Sequence, residues 1–114
     1  MTKRYKDQAV VVFRKYRDDG TIIALFPEIA ADLDGHCQSY AHVGQHGAAD
    51  YYGVINNTRL ATPKEYKALA RELTNIGYEL RPIKRAMHRF HHCKRYAQAR
   101  KEFATEVLSR FIAR

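Results

Sequence analysis

Acidic residues nearly vanish from the last third of this 114-residue chain. From Leu80 onward only Glu102 and Glu106 stand against ten lysines and arginines. Met1 to Glu79 carries ten of each sign, so the whole net charge of +8 lies in the C-terminal third. Clustered cations without counter-charges raise a local potential that draws phosphates or an acidic protein surface. Apolar runs are short, and none approaches the roughly 20 residues of a membrane-spanning helix, so no membrane association is expected. Only two cysteines are present, Cys37 and Cys93. The basic start "MTKRYKDQ" lacks a small-residue cleavage site, so the expectation is a cytoplasmic protein with both thiols reduced. Also missing are CxxC and HExxH spacings, a P-loop, an RNP motif, a helix-turn-helix and a zinc finger. No enzyme signature is found, and any nucleic-acid binding is expected to be electrostatic rather than sequence-specific.

Hydrophobic residues at 46 % and aromatics at 11 % are enough to close one core. "AVVVFRKY", "RDDG" and "TIIALF" read as a hairpin around an Asp-Gly turn, both strands apolar on both faces and therefore central in a covered sheet. "CQSYAHVG" is a third strand by alternation, with Cys37, Ser39, Ala41 and Val43 inward and Gln38, Tyr40 and His42 on the other face. Gly44 and Gly47 are expected to bracket a tight turn, with Tyr51 and Tyr52 filling the core. Thr62, Pro63 and Glu65 make a capping box that starts a helix, and Gly77 ends it after Ile76. "YELRPIKR" follows as an edge strand, because Pro82 lacks a ladder donor. The expected fold is α+β: a small antiparallel sheet of three to four strands in β-β-β-α-β order, packed by one helix, over residues 1–85.

Residues 86–114 form a basic amphipathic helical extension. Ala86, Phe90, Cys93, Ala97, Ala104, Val107, Leu108 and Phe111 fall in one stripe at 100° per residue, opposite His88, His91, Lys94, Arg95, Gln98 and Lys101. This helix is expected to dock its apolar stripe on the domain or on a second copy, which makes a homo-oligomer through the helix a further expectation.

The runs "VVFRKYRDDGTIIALFPEI", "SYAHVGQHGAADYYGVI" and "TRLATPKEYKALARELTNIGYEL" appear in fixed order. Over Val10 to Arg85 the chain resembles a family of small uncharacterised proteins of gut and environmental bacteria, their phages and mobile elements. The resemblance implies an intracellular protein of mobile-element origin with His42 to Asp50 as the family hallmark, and it brings no activity with it. It ends near Arg85, so the basic extension departs from it.

Three chemistries compete for these residues. Metal could be held by His36, Cys37, His42 and His46, or by His88, His91, His92 and Cys93, but neither group has a strong zinc spacing; no metal and no cofactor are assigned. The "HVGQHG" loop could hold a small nucleotide-like ligand through His42, Gln45 and His46 around glycine backbone. The leading expectation is a non-enzymatic protein that engages nucleic acid or a nucleoprotein complex, or a host protein, through Arg81, Lys84, Arg85, Arg89, Lys94, Arg95 and Lys101. These cations interleave with Phe90, Tyr96 and histidines, a mixture that contacts phosphates and stacks on bases. Inhibition of a host defence system is one concrete form of that function. No catalytic residue is assigned.

Overall fold

In the computed structural model, which describes residues 8–42 and 45–104, the hairpin pairs β1 (Ala9–Tyr16) with β2 (Ile22–Ala30). Val12 lies opposite Leu25 and Phe13 opposite Ala24. The turn closes with Tyr16 N–H donating to Thr21 O at 2.8 Å, and Gly20 takes a φ of +77°, which only glycine reaches without strain.

The sheet has six strands rather than three to four, ordered β4-β3-β2-β1-β5, with β6 also on β1. β3 spans Cys37–Ala41, β4 Gln45–Ala49, β5 Thr58–Leu60 and β6 Leu80–Pro82. β5 pairs with Arg14–Tyr16 and β6 with Ala9–Val11, so the two short strands share the outer edge of β1. β6 runs parallel to β1 and the other pairings are antiparallel. Pro82 sits in this edge strand, where its missing donor costs nothing.

Three segments depart from the sequence expectation. Gly47 does not bracket a turn; it lies in β4 opposite Ser39, whose hydroxyl donates to Gly47 O at 3.0 Å. Tyr51–Asn57 forms a short helix, α1, and leads directly into β5. β3 is buried on both faces: Cys37 and Ser39 point to one side, and Tyr40, only 1 % exposed, points to the other.

Both faces of the sheet are covered, which is why β1 is apolar from Ala9 to Phe13 and β2 from Ile22 to Phe26. On one face Val11, Phe13, Ala24, Phe26 and Tyr40 pack under Leu69 and Leu73 of α2 (Pro63–Ile76). Phe13 stacks on Tyr66 at 4.1 Å and Phe26 on Tyr78 at 5.1 Å. The capping box is formed, with Glu65 N–H donating to Thr62 Oγ1 and Thr62 N–H donating to Glu65 Oε1. Gly77 ends the helix at φ +126°. On the opposite face Val12, Leu25, Cys37 and Ala49 meet Tyr51 and Ala86.

That second face is also covered by a π-helical turn (His88–His92) and α3 (Cys93–Glu102), whose orientation reverses the expected one. The polar side is inward: His92 is 0 % exposed, Arg95 2 % and Ala99 7 %, whereas Phe90 is 60 % exposed and Cys93 and Ala97 face out. The cause lies in β2. Its register shifts between Phe26 and Ala30, where Pro27 interrupts the ladder, and this leaves backbone groups that another element must satisfy. Arg95 Nη1 donates to Pro27 O at 2.9 Å, and Ala30 N–H donates to Gln98 Oε1 at 2.6 Å. Hydrogen bonding to the bulge therefore sets the rotation of α3, against its apolar stripe. Val107, Leu108 and Phe111 of that stripe lie outside the described residues. Among the described residues no helix is long and apolar enough to cross a membrane.

Candidate nucleic-acid interface

Ala86 is the anchor that shapes the basic surface. It is buried, and its N–H donates to the Tyr51 hydroxyl at 3.0 Å, pinning the chain between β6 and the π turn against α1. Burial raises the pKa of Tyr51, which keeps the phenol protonated. With Ala86 inward, the residues on either side of it turn outward. Lys84, Arg85, Met87, His88 and Arg89 are all exposed, and they rim a cleft of about 750 Å³ whose opposite wall is Tyr51, Tyr52 and Ile55.

Arg14 of β1 closes the cleft on the sheet side. Its Nε donates to Thr58 Oγ1 at 2.9 Å and its Nη2 to Thr58 O at 2.8 Å, so the guanidinium is fixed in place. Burial lowers its pKa, yet an arginine stays cationic at any physiological pH. Among the described residues no acidic side chain lines the cleft.

Beneath the wall of α1 lies His92. Its ring meets Tyr51 edge-on at 4.6 Å and lies 5.1 Å from Tyr52 and 5.7 Å from His88. Arg95 Nη1 contacts His92 Nδ1 at 2.6 Å, and since a guanidinium can only donate, Nδ1 is the acceptor and the ring proton sits on Nε2. Burial first, then the charge of Arg95, pushes His92 down to about 4, so it is neutral. Among the described residues Nε2 has no hydrogen-bond partner.

The expected phosphate contacts divide into groups. Lys84, Arg85 and Arg89 converge on the cleft. Arg81 lies on β6, half-buried. Lys94 is exposed but pairs with Glu28 at 3.2 Å, and Lys101 is exposed near the far end of α3. Arg95 departs from the expectation: it is buried, spent on Pro27 and His92, and cannot reach a phosphate. Sequence reasoning missed Arg14, Tyr52 and Met87. Tyr52 was expected in the core beside Tyr51, but it is 49 % exposed. Nothing local in "FRKY" or "YYG" separates these residues from their neighbours; only the path of residues 84–89 across α1 unites them.

His42 and His46 lie on the α2 side of the sheet, away from the cleft, whereas strand alternation puts Gln45 on the face of Ala49. His42 Nδ1 lies 2.7 Å from Glu72 Oε1, and the Tyr40 hydroxyl donates to the other oxygen of the same carboxylate. His46 packs edge-on against Tyr40 at 4.6 Å, and Gln45 opens β4 opposite Ala41. Val43 and Gly44 lie outside the described residues. The sheet thus separates His42 and His46 from Gln45 and from the cleft, whose lining includes none of the three, and the two candidate surfaces do not merge into one site.

Of the two histidine and cysteine groups weighed for metal, Cys37 is buried and Cys93 exposed, both free, and among the described residues no three His, Cys, Asp or Glu side chains lie close enough to share an ion. Burial raises Cys37 to about 11, so it is an inert thiol. No family model, curated protein or solved structure matches this chain.

Proposed function

We propose that this is a non-enzymatic protein that binds nucleic acid, or the nucleic-acid part of a nucleoprotein complex, through the cleft between α1 and residues 84–89. The carrying observation is the convergence of Arg14, Lys84, Arg85 and Arg89 around a cleft that, among the described residues, has no acidic lining. Exposed aromatic and apolar groups accompany the cations: Tyr52 at 49 %, Met87 at 52 %, Phe90 at 60 % and Tyr96 at 40 %. Cations with exposed rings are what a phosphate-and-base polymer needs, since the cations neutralise backbone charge and every base has a face to stack. A mobile-element origin, with a host defence complex as target, belongs to the same proposal and rests on the resemblance of Val10 to Arg85. Gel retardation of short RNA and DNA at two salt concentrations tests it. Binding that weakens with salt and is lost in the triple variant Lys84→Ala/Arg85→Ala/Arg89→Ala is expected. No retardation at low salt removes the proposal.

A second reading, self-association through the outer side of α3, is favoured by the exposed stripe of Phe90, Cys93 and Ala97. Its weakness is charge. At 100° per residue Arg100 borders the stripe on one side and Lys94 and Lys101 on the other, so pairing two copies brings like charges together. Light scattering of the wild type and Phe90→Asp separates the two readings: a dimer converted to a monomer supports self-association.

A further inference from the structure

The cleft has two kinds of lining, and residues 84–89 contribute to both. Arg14, Lys84, Arg85 and Arg89 supply guanidinium and ammonium groups, whereas Tyr52, Met87 and His88 supply flat or polarisable apolar surface. Its volume of about 750 Å³ is far larger than one phosphate requires, and it falls within the range of roughly 300–1,000 Å³ typical of pockets for drug-sized ligands. A backbone-tracking site for an intact duplex would need only the cations on a convex or flat surface. Here half-exposed Tyr52 and Met87 are held beside them, the Tyr52 ring braced by Tyr51 and His92 and the rest of it open.

The buried histidine is the second observation. His92 is 0 % exposed, and its Nδ1 is occupied by Arg95, which leaves a donor at Nε2 with no protein partner among the described residues. A buried donor left unmade costs about 1–3 kcal/mol, so native structures rarely keep one without a use. The ring contacts three residues that line the cleft, Tyr51, Tyr52 and His88. His92 is not itself part of the cleft lining; it backs the wall of Tyr51 and Tyr52 against which a planar heterocycle would be seated.

We infer that the cleft takes one unstacked nucleotide of a single strand, the base lying on Tyr52 and Met87 and its flanking phosphates between Arg14, Lys84, Arg85 and Arg89. This rests on the nucleic-acid reading above and sharpens it: the ligand is single-stranded, because a base held in a duplex cannot leave its stack without a cost of a few kcal/mol. The phosphate contacts position the strand, and the ring contact distinguishes strand from duplex.

The test compares the affinity of the full chain for a single strand of about 12 nucleotides, within the site sizes such proteins cover, and for the same sequence as a duplex. Wild type, Tyr52→Ala, Tyr52→Phe and Lys84→Ala/Arg85→Ala are measured, each first shown by thermal melting to be folded. Tyr52→Ala is expected to weaken single-strand binding about 5- to 150-fold, the range of one lost base-aromatic stack, and to leave duplex binding unchanged. Tyr52→Phe retains the ring and restores wild-type affinity. Equal affinity for strand and duplex, or an unchanged Tyr52→Ala, overturns the inference. If in that case Lys84→Ala/Arg85→Ala still weakens both ligands, the broader nucleic-acid reading stands alone; if wild type binds neither ligand, both readings fall.

Discussion

Arg95 donates to the carbonyl oxygen of Pro27 at 2.9 Å, and this bond between a buried cation and a β-bulge fixes which side of α3 the protein shows to solvent. Arg95 has no ion pair among the described residues; its charge is met by carbonyl and imidazole dipoles instead. The cleft inherits its shape from that docking, because His92, one turn earlier, forms the floor under Tyr51 and Tyr52.

Replacing Arg95 by Met keeps most of the volume but strands the Pro27 carbonyl. Chemical denaturation is expected to show a loss of about 1–3 kcal/mol, the cost of a buried group left without its partner. The pKa of His92, followed by NMR, should rise at the same time, because the neighbouring positive charge that helps depress it is gone.

His92 is held at about 4, below the ordinary histidine value near 6.5. The unfolded chain therefore takes up a proton as pH falls through 6.5, while the folded chain does not until about 4. Stability from this group is fully present above pH 6.5 and is lost between 6.5 and 4, by up to about 3 kcal/mol. Urea midpoints measured at pH 7 and pH 4.5 should differ in the wild type, and a His92→Phe variant should lose most of that difference. An equal pH dependence in both proteins contradicts the assignment.

The rotation of α3 makes opposite demands on two apolar positions. Phe90→Ser is expected to change stability by no more than about 0.5 kcal/mol, as for an ordinary surface site. Ala99→Leu, at a position 7 % exposed, should cost about 1–3 kcal/mol through overpacking. A large loss in Phe90→Ser would mean the apolar stripe is inward after all.

Gly77 has a φ of +126°, and a side chain added there would meet no atom within 4 Å. Any loss in Gly77→Ala is therefore backbone strain alone, of about 1–2 kcal/mol, visible as a lower thermal midpoint with the fold unchanged.

For nucleic-acid binding the salt dependence is the sharper readout. Each single-strand phosphate neutralised adds about 0.7 to the slope of log affinity against log salt. Removing Lys84, Arg85 and Arg89 together should lower that slope by about 2. Removing Lys94, already paired with Glu28 at 3.2 Å, should change it less than removing any one of the three.

Where the chain pattern is local, the sequence was a good guide. The Asp-Gly turn, the capping box of Thr62 and Glu65, the stop at Gly77 and the edge placement of Pro82 all follow from the backbone chemistry of a few adjacent residues. β4, α1 and β5 were not legible. "QHGAA" is a polar, glycine-containing edge that looks like a turn, and an element of three or seven residues shows too little periodicity to stand out. Arg95 was misplaced for a related reason: amphipathicity records where apolar residues would prefer to go, not which polar groups a bulge 68 residues away in the chain will need.

By itself the sequence determined the α+β class, the central hairpin, the limits of α2 and the concentration of all net charge after Leu80. Those features depend on composition and on short-range turn and cap geometry, which operate within a few residues. Tertiary structure alone decided which cations face one cleft, that Arg14 and Tyr52 join them, and that Arg95 leaves them. Each of those outcomes depends on contacts between segments far apart in the chain, such as the hydrogen bond of Ala86 to Tyr51 and of Arg95 to Pro27, and no local pattern encodes such a pairing.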